Sequence, residues 1–191
     1  MKTEDFVTKN IMAIVPEYMP GEGDRTIIYT NEENIVLSLR VRNIVTKLCK
    51  HYQLDMKASN QYFGGLISVS NMIPLPLARD KVFIQLKVRK PISRYDGGVG
   101  LFNIDSIERV KEGEDGIYIV LKNGIEIKTL YVRSSIEKHI RQGQMVKNLY
   151  DTRIYTLNEA MERYETSDTP ATKSDIARLY MAIKEMSNKL G

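Results

Sequence analysis

The chain has no tryptophan, one cysteine and two histidines. Cys49 alone excludes an internal disulfide and a multi-cysteine metal centre, while His51 and His139 give a metal site or a histidine-based catalytic triad little to draw on. No window approaches the roughly eighteen uncharged apolar residues of a membrane span, and no apolar run follows a basic start. A soluble, cytoplasmic protein is expected. Walker A, G-x-G-x-x-G after a strand, H-E-x-x-H, G-x-S-x-G and C-x-x-C are also missing, so neither a cofactor nor an enzymatic activity is expected.

Acidic residues are scarce in the middle of the chain. Between residues 36 and 95 only Asp55 and Asp80 are acidic, against eleven lysines and arginines, which gives a local net of +9 inside a chain of net charge +4. Such a field draws polyanions, with nucleic acid first among them. An acidic protein surface and a membrane surface answer to the same sign.

The pattern along the chain reads as α+β: a β-rich domain over 1–150 with mostly antiparallel sheets, and a helical tail over 151–191. Ile11 to Val15, closed by Pro16, and Thr26 to Tyr29 flank a Pro20, Gly21 and Gly23 turn, which predicts a hairpin or two consecutive strands. Ile35 to Leu39 suggests a third strand. Val41, Ile44, Val45, Leu48 and Tyr52 then recur at helical spacing, predicting a helix whose apolar stripe leaves Arg40, Lys47 and Lys50 largely outside it. Gly64 and Gly65 precede an apolar run, Leu66 to Val69.

Val82 to Val88 alternates. Val82, Ile84, Leu86 and Val88 form one face, and Lys81, Phe83, Gln85, Lys87 and Arg89 form another that mixes cations with a ring. That second face suits nucleic acid. The loop Lys90 to Gly100 has three glycines, which predicts flexibility and close approach of another backbone.

Phe102 to Val110, Ile117 to Leu121 and Ile125 to Tyr131 predict a three-stranded meander. Asn123-Gly124 is expected to form a type I′ turn within it. Ser134 is the expected cap of a helix reaching about Leu149, followed by a helix Tyr155 to Glu165, a linker Thr166 to Thr172 and a last helix Lys173 to Leu190. Ile176, Leu179, Tyr180, Ile183 and Met186 give that last helix one apolar stripe, suited to self-association or to a regulatory partner.

The lesser constellations have plain explanations. Cys49 and His51, two apart on a helix, face different ways. His139 sits beside Lys138 and Arg141, where a solvated imidazole is the default. Gly97, Gly98 and Gly100 lie between strands, without the lysine and helix start of a phosphate loop. The basic segment exceeds a solvated charge run, because it extends over a helix, a strand and two loops and is interleaved with Tyr52, Tyr62, Phe63, Phe83 and Tyr95. Double-stranded DNA is the expected partner, with RNA or an acidic protein as alternatives.

Residues 6 to 150 resemble the ComK family of competence transcription factors. The likeness rests on Ile11-Met12-Ala13-Ile14-Val15-Pro16, Thr26-Ile27-Ile28-Tyr29, Asn43-Ile44-Val45 with Cys49-Lys50-His51-Tyr52, Ile73-Pro74-Leu75-Pro76, Val82-Phe83-Ile84, Val120-Leu121-Lys122-Asn123-Gly124 and the helix from Ser135 to Arg141. It departs at Ile84-Gln85-Leu86, where the family has Phe-Pro-Thr, and in lacking tryptophan. Residues 101 to 140 also look like the closing half of a LytTR DNA-binding domain. These resemblances imply an oligomeric transcriptional activator that binds AT-rich promoter sites from the minor groove, without a helix-turn-helix. They assign phosphate contacts to Lys47, Lys50, Lys87 and Lys90, and groove or base contacts to Arg89, Arg94, Asn103 and Arg133.

Overall fold

The computed structural model describes residues 5–19, 21, 23–93, 96–165 and 172–189. They form two compact units, residues 1–151 and 152–191.

The first unit is α+β and antiparallel. Strands β1 (Ile11–Met19), β2 (Gly23–Thr30), β3 (Asn34–Leu37), β4 (Leu75–Ala78), β5 (Lys81–Lys87) and β6 (Val99–Asn103) build a six-stranded sheet in the order β3-β2-β1-β6-β5-β4. Strands β7 (Ile107–Gly113), β8 (Gly116–Leu121) and β9 (Glu126–Thr129) form the predicted meander as a separate sheet. Helices α1 (Val41–His51) and α2 (Met56–Leu66) separate β3 from β4, and α3 (Arg133–Glu165) follows β9.

The six-stranded sheet is buried on both faces. On one, Ile14, Ile28, Phe83 and Leu101 pack under Val41, Ile44, Val45 and Leu48 of α1, so the period-3.6 stripe meets a period-2 surface. On the other, Met12, Ala13, Val15, Ile84, Leu86 and Phe102 meet Ile119, Leu121 and Ile127 of the small sheet and Ile136 of α3. The face of β5 expected to lie against nucleic acid is therefore covered along most of its length, and within β5 only Lys87, at the strand end, is exposed. Phe83 is 1% exposed, and Gln85 donates its side-chain amide to the Ile73 carbonyl at 2.8 Å.

Several local expectations need correction. Gly64 and Gly65, read only as preceding the apolar run Leu66 to Val69, lie inside helix α2. The Asp55 carboxylate caps α2 by accepting from the Lys57 and Ala58 amides, and a Cβ on Gly64 would lie 2.6 Å from the Val69 carbonyl oxygen. Strand β1 continues through Pro16 to Met19, because pairing with β6 involves only Ala13 and Ile14 and demands no donor from Pro16. The expected strand Phe102 to Val110 is broken by a 3-10 turn, Ile104–Ser106, which sends β6 and β7 into different sheets.

At the Asn-Gly turn only Gly124 has positive φ (83°). The Gly124 amide donates to the Leu121 carbonyl and the Leu121 amide to Ile125, so the loop is a type I turn followed by a left-handed glycine. Helix α3 is continuous where two helices were expected. It starts at Arg133, with the Ser135 and Ile136 amides donating to the Val132 carbonyl, so Ser134 lies in the first turn and is not the cap.

In the second unit α4 (Lys173–Lys189) starts at a reciprocal cap. Thr172 Oγ1 accepts from the Asp175 amide at 3.3 Å, and the Asp175 carboxylate accepts from the Thr172 amide at 2.8 Å. The linker at 166–171 lies outside the described residues. Among the described residues no helix is long and apolar enough to cross a membrane.

Candidate nucleic-acid interface

Helix α1 turns its apolar stripe inward and a basic face outward. Arg42, Asn43, Thr46 and Lys50 are exposed and Lys47 is half-buried, so the solvent side carries three cations and no carboxylate. Arg42 and Lys50 are eight residues apart, about 12 Å along the axis. Thr46, Lys47, Lys50 and His51 also line a depression of about 440 Å³ with Val7. Arg40 precedes the first turn, is exposed, and acts on Asp96 electrostatically.

Lys87 extends this face. It shares the pleat side of Phe83, the side that α1 covers, and its side chain is exposed. Lys90 follows β5 and is exposed. The structure therefore brings Lys47, Lys50 and Lys87 onto one side of the large sheet and adds Arg40 and Arg42, which sequence reasoning counted but did not nominate. The signal was available: Arg42, Thr46 and Lys50 are spaced i, i+4 and i+8, complementary to the apolar stripe.

The residues nominated for the groove fare differently. Arg89 forms an ion pair with Asp24, donates Nε–H to the Gly97 carbonyl at 2.8 Å and lies 3.8 Å from the centroid of the Tyr18 ring. Its side chain is 13% exposed, so it is a clamp within the fold. Asn103 is 2% exposed; its amide donates to the Asp80 carbonyl at 3.0 Å and its Oδ1 accepts from the Asp105 amide at 3.1 Å. It cannot reach a ligand. Arg133 is exposed, but it pairs with Glu137 at 3.0 Å and approaches Glu112 at 3.8 Å, in the layer of the small sheet and away from α1. Arg94 lies outside the described residues.

The glycine loop is closed by its own chain. A Cβ on Gly98 would meet the Arg89 carbonyl oxygen at 2.6 Å and one on Gly100 the Ile14 carbonyl oxygen at 3.2 Å. The approaching backbone is thus internal. Tyr18 donates its hydroxyl to Asp96 at 2.5 Å and accepts from the Ile92 amide at 2.8 Å, and that hydroxyl, with the Ser93 amide, holds the Asp96 carboxyl below its usual range.

Burial raises the Cys49 thiol, which packs in the core beneath α1 while His51 is exposed. No group of three or more potential metal ligands occurs among the described residues. Comparison with family profiles, curated proteins and solved structures finds no match to this chain.

Proposed function

We propose that this chain is a non-catalytic transcriptional regulator that binds double-stranded DNA, with the outer face of α1 and Lys87 laid along the phosphate backbone. The observation that carries the reading is the carboxylate-free row Arg42, Lys47 and Lys50 on α1, on the same side of the sheet as Lys87. Phosphate contacts of this kind fix a protein's position on the duplex and make its affinity salt-dependent. Arg40, just before α1, takes the groove role that the sequence reading gave to Arg89 and Asn103.

The ComK-like residues support a preference for AT-rich sites, where a narrow minor groove concentrates negative potential and attracts arginine. The exposed apolar residues of α4, Ile176, Leu179, Tyr180 and Ile183, supply the contact between copies. A titration of mobility shift on AT-rich and GC-rich duplexes at several salt concentrations tests the reading. Tighter binding to the AT-rich duplex with a steep salt slope is expected. Equal affinity for both refutes the AT preference, and the absence of any duplex binding refutes the function. The burial of Phe83 counts against the alternative in which β5 stacks RNA bases.

A further inference from the structure

We infer that the first unit contains a binding site for a small phosphate-bearing molecule, formed by the loop after α2 and the first turns of α3. A cavity of about 340 Å³ lies there. The loop contributes Ser68, Ser70 and Asn71, and α3 contributes Ser135, Lys138, His139 and Gln142.

The lining holds one cation, four hydroxyl-bearing side chains (Ser68, Ser70, Ser135 and Tyr131) and two amides, and no carboxylate. Helix α3 begins two residues before Ser135, so the positive end of its dipole reinforces the ammonium of Lys138. An anion is the only charged ligand that this surface welcomes. The number of donors suits a tetrahedral oxyanion with several acceptor oxygens better than a two-oxygen carboxylate.

A second observation, independent of the helix end, points to a missing partner. Gln142 lines the cavity while only 9% exposed, and its Oε1 has no hydrogen-bond partner among the described residues. The Nδ1 of His139, three residues earlier on the same helix, is likewise buried and unpartnered. Orphaned buried polar atoms are costly, and a ligand held in the cavity that both residues line would offer them a partner. A half-turn of the Gln142 amide presents Nε2 to a phosphate oxygen, and His139 donates from whichever ring nitrogen carries the proton. Burial and Lys138 lower the pKa of His139 in the unliganded protein, and a bound phosphate would reverse that shift.

The site is distinct from the α1 face and stands without the DNA reading. NMR of the histidine Cε1–Hε1 groups tests it, because only His51 and His139 contribute signals. Inorganic phosphate, glycerol 3-phosphate and acetate are titrated separately into the full chain at constant ionic strength. The two phosphates are expected to shift the His139 signal saturably and to raise its titration midpoint, with acetate much weaker. Lys138→Ala, at an exposed position that folding does not need, should weaken phosphate binding about tenfold, and Gln142→Leu should abolish it. If Gln142→Leu does not fold, Ser135→Ala serves in its place. The proposal is overturned if phosphate shifts His139 and His51 alike without saturation, if acetate binds as tightly as phosphate, or if Lys138→Ala binds phosphate unchanged.

Discussion

The guanidinium of Arg89 lies 3.8 Å from the centroid of the Tyr18 ring, and the two side chains fasten the loop after β5 to the β1–β2 hairpin. With Asp24 paired to the same guanidinium, Arg89 is a structural residue although it belongs to the basic segment. Arg89→Ala should lower folding stability by about 2–4 kcal/mol, since it removes the stacking and leaves a mostly buried carboxylate unpaired. Arg89→Lys should recover only part of the loss, because an ammonium cannot reproduce the planar fork. Urea unfolding midpoints measure both, and an unchanged midpoint in the alanine variant would contradict the assignment.

Asn103→Ala should cost about 1–3 kcal/mol, because the Asp80 carbonyl and the Asp105 amide each lose their partner in a buried setting. Duplex affinity at temperatures where the variant is folded should equal that of the parent. A loss of affinity in the folded variant would return Asn103 to the interface.

Gly143 in α3 reverses the usual helix rule. Glycine to alanine inside a helix ordinarily gains up to about 1 kcal/mol. Here a Cβ would stand 2.6 Å from Ile84 Cγ2 and 2.7 Å from Ile104 Cγ2, both on packed side chains. Gly143→Ala should therefore destabilise by about 1–3 kcal/mol, as overpacking does. Thermal unfolding decides it, and a raised Tm would show that α3 sits farther from the sheet.

Burial, reinforced by Lys138, lowers the pKa of His139 below its ordinary 6.5. The unfolded chain consequently binds a proton that the folded one resists, so stability should fall as pH drops below about 6.5 and level off beneath the folded pKa. His139→Gln should flatten that slope in phosphate-free buffer. An unchanged pH profile in the variant would mean that His139 titrates alike in both states.

Much of this architecture was legible in the sequence, and the failures have identifiable causes. The stripe Val41, Ile44, Val45 and Leu48 marked α1 because a helix on a sheet buries one face. Helix α2 buries only Ser59, Phe63 and Gly64, so its periodicity is faint, and its glycine is required by the Val69 carbonyl rather than by a turn. Strand β5 alternates, yet both its faces are covered, because α1 and the small sheet sandwich it; alternation reveals the pleat but not what packs on either side. Charge counting found the basic segment but could not foresee that Arg89 would meet Asp24, 65 residues away in sequence. Lys50 stays exposed because α1 points it away from the helix's own core.

Duplex binding, as proposed, depends on the outer row of α1 together with Lys87. The most direct test is the salt dependence of AT-rich duplex binding by the Arg42→Ala, Lys50→Ala, Lys87→Ala triple variant beside the parent, after equal urea midpoints show that both are folded. All three side chains are exposed, so stability should hold. If each neutralises one phosphate, the slope of log affinity against log salt should fall by about three units. A folded variant with the parental slope would contradict the account.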